Sequence, residues 1–227
     1  MFGKKFNKME LPEGYTITYH AGFMGTEPNT TESLEKAIEM GAKIVEMDVT
    51  FRNDGTPVIV HADSAGDKGG VLFDEAMKAV AKSEGIMVNL DIKSVQNLPA
   101  VDETVKKYGM MDRVFYTGVW EKWVETVKTT SEIPYYLNYN VKKSDVKNPA
   151  DVIALADKLI SLGACGLNSN FAFANRRLVE IMHKKGIPVS LWTCNTKRTM
   201  KKALKTYPDN ITSKEPKVLE DLIRYSK

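Results

Sequence analysis

Ile44-Val45-Glu46-Met47-Asp48-Val49 is the stretch on which the fold turns. Side chains alternate across a strand, so Val45, Met47 and Val49 point one way while Ile44, Glu46 and Asp48 point the other. The apolar trio suits a covering layer of helices. The opposite face then carries two carboxylates at the C-terminal end of a strand, where β/α barrels keep their active sites. The same alternation in Val88-Asn89-Leu90-Asp91-Ile92-Lys93 turns Val88, Leu90 and Ile92 outward and leaves Asn89, Asp91 and Lys93 facing the axis. Inward anions set side by side repel each other and lose hydration, unless a cation or a shared proton compensates.

Outward from these two segments, Thr16–His20, Pro57–His61, Arg113–Thr117, Tyr135–Asn140, Cys165–Asn168 and Val189–Thr193 also read as strands. Amphipathic segments with helix punctuation separate most of them: Glu32–Met40 behind Thr30 and Thr31, Asp74–Ser83, Val119–Lys128, Pro149–Leu162 and Asn175–Lys185. Eight strands alternating with helices in 227 residues predict an α/β chain, a single-domain (β/α)8 TIM barrel spanning 1–227. Between Val49 and Pro57 only the turn around Asn53-Asp54-Gly55 fits, so the barrel is irregular between its second and third strands. Asn210-Ile211-Thr212 is a further candidate strand, which leaves the count of eight open. A doubly wound open sheet would need a Gly-rich phosphate turn, and His20-Ala21-Gly22-Phe23-Met24-Gly25 matches that fingerprint poorly.

Composition excludes several classes. The net charge of +3 comes from lysines scattered among acids, not from the clustered basic stripe of a nucleic-acid binder. Hydrophobic residues make up 43% and charged residues 27%, a globular balance, and no Pro/Gly/Ser-rich linker interrupts the chain. Cys165 and Cys194 lack the spacing of a zinc site or a disulfide framework, so both are expected to be buried as small apolar residues. Met1–Lys8 is basic, but the apolar run of a secretory signal never follows, and no segment approaches the roughly 20 apolar residues of a membrane span. A soluble, cytoplasmic protein of undetermined oligomeric state is expected, with no nucleic-acid partner.

His20 ends the first strand and His61 the third, so two of the three histidines should meet Glu46, Asp48, Asp91 and Lys93 at one end of the barrel. Oxygen ligands such as Glu46, Asp48 and Asp91 select hard ions, and one divalent cation, Mg2+ or Ca2+, would offset their repulsion. Imidazole is the side chain that titrates near neutrality, which fits His20 and His61 to general acid and base roles. Trp192, at another strand end, is either an apolar wall for a bound alcohol or a core aromatic. Asn138, Asn140, Asn168 and Asn170 also sit at strand ends. Phe171 and Phe173 are expected to be buried under their loop. His183 falls mid-helix and receives no role.

These residues resemble the glycerophosphodiester phosphodiesterases over about residues 16 to 216. His20-Ala21-Gly22 resembles that family's His-Arg-Gly start, and Pro28-Asn29-Thr30 the tail of its Pro-Glu-Asn-Thr turn. Glu46-Met47-Asp48 is similar to its Glu-x-Asp metal pair, and Asp54-Gly55 with Pro57-Val58-Ile59-Val60-His61 to its Asp-Gly, Pro-Val, His-Asp hairpin. Leu90-Asp91-Ile92-Lys93 resembles the Glu-x-Lys strand, and Leu191-Trp192-Thr193 and Ile211-Thr212 the Trp-Thr and final Thr-Asp segments. The departures are Ala21 for arginine, Ala62 for aspartate, Ser213 for aspartate, Pro28 near the glutamate of the turn, and Asp91 for glutamate.

The resemblance implies metal-dependent hydrolysis of a small-molecule glycerophosphodiester to glycerol 3-phosphate and an alcohol. His20 and His61 would be catalytic, Glu46, Asp48 and Asp91 metal ligands, and Lys93, Trp192 and Asn29 on the substrate side. Two other readings stay open. Ala21 and Ala62 are compatible with a binder that has lost its chemistry, and Asp91 is compatible with a lyase releasing a cyclic phosphate, as in the related sphingomyelinase D barrels.

Overall fold

The computed structural model describes residues 11–225, so the basic stretch Met1–Lys8 lies outside the described residues. The chain alternates strands and helices: β1 (Thr16–Tyr19), α1 (Thr31–Glu39), β2 (Ile44–Phe51), β3 (Pro57–Ile59), β4 (Val71–Leu72), α2 (Phe73–Ala81), β5 (Met87–Ile92), α3 (Leu98–Lys107) and β6 (Val114–Val119). There follow α4 (Val124–Thr130), β7 (Tyr135–Asn138), α5 (Pro149–Leu162), β8 (Gly166–Asn170), α6 (Arg176–Lys184), β9 (Val189–Trp192), α7 (Lys197–Leu204), β10 (Asn210–Ser213) and α8 (Pro216–Arg224).

Eight of the ten strands are parallel neighbours in the order β1-β2-β5-β6-β7-β8-β9-β10, and β10 pairs back onto β1 to close the cylinder. This is the expected TIM barrel. Its irregularity lies where the Asn53-Asp54-Gly55 turn placed it: β3 runs antiparallel to β2 and β4 antiparallel to β3, so the pair forms an excursion on the wall. Pro57–His61 is therefore not a barrel strand, as its pattern suggested. The eighth wall strand is Asn210–Ser213, and Asn210 pairs with Thr16 and with Ser190.

Outward residues such as Met47, Val49, Leu90 and Ile92 are almost wholly buried against the helices, and burying each such side chain stabilises by roughly 1.5–3 kcal/mol. The inward face of β1, β9 and β10 is polar where these strands begin, and Asn210 ties it together. Asn210 Oδ1 accepts from Thr18 Oγ1 and Ser190 Oγ, both at 3.1 Å, while Asn210 Nδ2 donates to Thr16 Oγ1 at 2.9 Å. Helix starts follow their capping residues: Thr30, Asn148 and Asn175 accept from the backbone N–H of Ser33, Asp151 and Leu178.

Three local readings are corrected. Val119–Lys128 is not one helix, because β6 runs on to Val119, a short 3-10 turn spans Glu121–Trp123, and α4 begins at Val124. Cys194 is buried but Cys165 is exposed. Phe173 is 50% exposed rather than tucked under its loop. Among the described residues, no helix is long and apolar enough to cross a membrane.

Candidate active site

The register of β2 on β5 sets Glu46 beside Asn89 and Asp48 beside Asp91, and β6 continues the row with Thr117 beside Asp91. Alternation thus delivers three carboxylates to the C-terminal mouth of the barrel. One oxygen from each of Glu46, Asp48 and Asp91 lies within 4.8 Å of the other two. Hard cations bind oxygen at roughly 2.0–2.6 Å, so three oxygens at this spacing can share one ion. The electrostatics fit the same use: burial first, then the nearby Asp48 and Asp91, pushes the Glu46 carboxyl well above the ordinary carboxylate range. A positive ion among them relieves that repulsion.

Each carboxylate is held by a specific partner. Ala21 N donates to Glu46 Oε2 at 2.6 Å, and this bond needs only the backbone of residue 21. Asn29, buried at a positive φ of 58°, clamps Asp48 from both sides: its Nδ2 donates to Asp48 Oδ2 at 2.8 Å, and Asp48 N donates to Asn29 Oδ1 at 2.9 Å. Asn29 does not line the cleft; both ends of its amide are taken by Asp48. Lys93 Nζ bridges Asp48 Oδ1 at 2.8 Å and Asp91 Oδ2. Burial opposes ionisation of Asp48, but the Lys93 ammonium and the Asn29 amide outweigh it and hold the carboxyl below its ordinary value. Burial likewise opposes the Lys93 charge, and Asp91 and Asp48 overcome it, raising the ammonium above the usual lysine range.

His20 stands at the end of β1 with Nδ1 2.8 Å from Ala21 O and 3.6 Å from Glu46 Oε2. A carbonyl oxygen only accepts, so Nδ1 carries the hydrogen and Nε2 is left as the basic nitrogen. Burial is the main cause of a His20 pKa below the ordinary histidine value. His61 reaches the mouth from the β3 end, where Val60 N donates to Asp48 O at 3.0 Å and ties the excursion to β2. Its imidazole is exposed and has no hydrogen-bond partner among the described residues. His183, which received no role, lies away from the mouth and bonds Asp209 Oδ2 at 2.8 Å.

His20, His61, Glu46, Asp91, Lys93 and Trp192 all line one cleft of about 360 Å³. Asn138 and Asn168 line it too, whereas Asn140 and Asn170 do not. Further lining groups were not anticipated, among them Asp63, Thr117, Gly118, Trp120 and Trp123, and Ile92, read as outward, also borders the cleft. Thr117 Oγ1 lies 3.0 Å from Asp91 Oδ1 and 2.7 Å from Asn89 Oδ1, and so orients the third carboxylate. Its inward place on a strand next to Asp91 was the available signal. Trp120 and Trp123 were hidden by the reading of Val119–Lys128 as a helix.

The sequence profile of the glycerophosphoryl diester phosphodiesterase family matches residues 20–160, more than half of the 227. The chain belongs to that family. A glycerophosphodiester phosphodiesterase of Caldanaerobacter subterraneus subsp. tengcongensis is 24% identical, the match covering 92% of this chain and 97% of the relative. Solved structures share the barrel across nearly the whole chain. One from Silicibacter pomeroyi, provisionally assigned as a glycerophosphoryl diester phosphodiesterase, superposes with a TM-score of 0.78 at 17% identity, covering 96% of each chain. A phosphodiesterase of Oleispira antarctica, solved with the product sn-glycerol-3-phosphate, gives 0.73 at 23% identity, covering 94% of this chain and 97% of its own.

At three of the departures the structure shows what the local groups do. At Ala21 the backbone N–H still serves Glu46. Ser213 Oγ donates to Cys194 O at 2.6 Å and accepts from Glu215 N at 2.9 Å, a purely structural use. Asp63, one residue beyond Ala62, supplies a carboxylate to the cleft.

Proposed function

We propose that the protein is a metal-dependent glycerophosphodiester phosphodiesterase that yields glycerol 3-phosphate and an alcohol. The observation that carries this reading is the convergence of Glu46, Asp48 and Asp91 with His20 and His61 at one mouth. Family membership and the product complex of the Oleispira antarctica relative support the same substrate class. Carboxylate oxygens of Glu46, Asp48 and Asp91 would hold one Mg2+ or Ca2+ ion. When bound, such an ion supplies Lewis-acid polarisation of a phosphoryl oxygen.

The protein's own groups then divide the proton work. His20 Nε2 takes a proton from the attacking water as the new O–P bond forms. His61 delivers a proton to the alcohol oxygen as the old P–O bond breaks, so the leaving group departs as a neutral alcohol. Lys93, held by two carboxylates, keeps an ammonium beside the developing negative charge. Asn29 acts as a positioning group that fixes Asp48. The whole apparatus belongs to one domain.

Phosphorus NMR of a reaction with a glycerophosphodiester tests the assignment: a monoester signal is expected, whereas a persistent cyclic diester would replace hydrolysis with a lyase reaction. Excess chelator should silence turnover, and added Mg2+ or Ca2+ should restore it.

Two consequences concern the metal ligands without recourse to turnover. A cation at about 100 times its dissociation constant should stabilise the fold by about 2.7 kcal/mol, read as a rise in Tm by calorimetry. Unchanged Tm with either ion would remove the site. Asn29→Ala frees Asp48 from its clamp and should weaken cation affinity by about 10–100-fold in a calorimetric titration.

A further inference from the structure

The segments that follow β7, β8, β9 and β10 leave neighbouring strands at the same end of the barrel, so the fold gathers cations that the sequence keeps apart. Lys142, Lys143 and Lys147 stand exposed in the loop after β7. Arg177 lies in the first turn of α6, Lys197 and Arg198 open α7, and Lys214 follows β10, all of them exposed. Cross-contacts tie these segments into one rim: Arg177 Nη1 donates to Lys147 O at 3.4 Å, and Lys202 Nζ to Ala172 O at 2.6 Å. The acids on this arc are Asp145, Asp151 and Glu215, and Asp145 already accepts from Tyr139 Oη and Lys142 N. The rim over β1 to β5 is richer in acids, with Glu27, Asp54, Asp63 and Asp67 exposed.

Fold stability does not account for the basic arc. The positive end of a helix dipole favours acids and disfavours cations. The first turns of α6 and α7 nevertheless hold Arg176, Arg177, Lys197 and Arg198 and no acid. Of these only Arg176 is paired, with Glu180 at 2.7 Å. Several cations elsewhere in the helix layer are paired across elements, as Lys82 is with Glu35, Lys106 with Glu132 and Lys185 with Asp157. The exposed lysines after β7 and β10 and the pair that opens α7 make no ion pair among the described residues.

Two apolar side chains project beside these cations. Phe173, in the loop after β8, is 50% exposed, and Met24, in the loop after β1, is 49% exposed. Met24 N donates to Lys214 O at 2.7 Å, so the second of these abuts the β10 segment. Apolar tips among unpaired cations suit a lipid interface, where the tips enter the acyl boundary while lysine and arginine meet head-group phosphates. A single-stranded nucleic acid would use the cations and the Phe173 ring but would leave Met24 with no aromatic face to offer a base.

We propose that the arc over β7 to β10, with Phe173 and Met24 as apolar anchors, docks the protein on an anionic lipid surface with the mouth of the barrel towards the bilayer. This goes beyond the phosphodiesterase reading and does not depend on it.

Co-sedimentation with vesicles tests the proposal, in excess chelator so that no metal ion bridges lipid phosphates to Glu46, Asp48 and Asp91. The protein should bind vesicles made of about equal parts phosphatidylglycerol and phosphatidylcholine, should not bind pure phosphatidylcholine, and should dissociate as salt screens the attraction. Combining Lys143→Gln, Lys197→Gln and Arg198→Gln should weaken binding about 100-fold, roughly 5-fold for each charge. Phe173→Ser, which leaves the charge intact, should weaken it about 10-fold. Lys43→Gln, Lys184→Gln and Lys205→Gln together remove the same charge from exposed positions at the opposite end of the barrel and should leave binding as it was. No binding to the anionic vesicles, an equal loss in the two triple variants, full binding by Phe173→Ser, or displacement from the vesicles by a single-stranded oligonucleotide at matched phosphate concentration overturns the proposal.

Discussion

Alanine at His61 should lower kcat by about 10²- to 10⁴-fold while the urea midpoint of unfolding stays where it was. The imidazole is exposed and has no hydrogen-bond partner among the described residues, so its removal leaves no buried group unsatisfied. On the proposed mechanism, what disappears is the proton donor for the departing alcohol. Esters with better leaving groups should therefore suffer less, because an aryl oxide departs without protonation. His20→Ala should cost as much with glycerophosphodiesters but should show no such recovery with an aryl ester, since the base acts on the attacking water. Near-normal rates in either alanine variant would remove these assignments, and equal behaviour of the two variants towards aryl esters would remove the division between them.

The second large effect concerns the wall rather than a reacting group. Gly118 has a φ of +75°, and a Cβ added there would stand 2.3 Å from Ile92 O and 2.7 Å from Asp91 Oδ1. Ile92 O is backbone and cannot retreat without parting β5 from β6, and the Asp91 carboxylate would have to turn aside. Gly118→Ala should cost about 3 kcal/mol, combining overpacking of roughly 1–3 kcal/mol with left-handed strain of roughly 1–2 kcal/mol. The urea midpoint measures that loss. Asp91 is displaced in the same movement, so calcium affinity should fall together with stability. A variant of unchanged midpoint and unchanged calcium affinity would mean that β5 and β6 separate easily at this point.

The carboxylates were legible in the sequence because period-two alternation in residues 44–49 and 87–92 assigns each side chain a face, and a barrel has only one inside. Direction is another matter. Val58 and Val60 alternate as well as any wall strand, yet alternation carries no sign of parallel or antiparallel pairing, and β3 was counted in the wall on that ground. The true eighth strand was legible only as a further candidate because of its chemistry: Asn210, Thr212 and Ser213 are buried but polar, and their bonds to Thr18, Ser190 and Cys194 exist only once the cylinder closes. Helix α3 was passed over, opening as it does with Leu98-Pro99. Lysine-rich α7 was too, having only Met200, Ala203 and Leu204 buried on its inner stripe. The indoles of Trp120 and Trp123 were assigned to a helix face because the strand before them was ended two residues early, at Thr117 rather than Val119.

Closure of the wall has a bearing on how the protein is made. His20 N donates to Ser213 O at 3.1 Å, so the imidazole at the end of the first strand is anchored by the last of the described strands. A nascent chain that has reached β9 already contains Glu46, Asp48, Asp91, His20 and His61, but without β10 the strands β1 and β9 present open edges able to pair with another chain. The cylinder is closed only by the four residues Asn210–Ser213, which pair with β1 on one side and β9 on the other. A chain truncated before Asn210 is therefore expected to associate through those open edges.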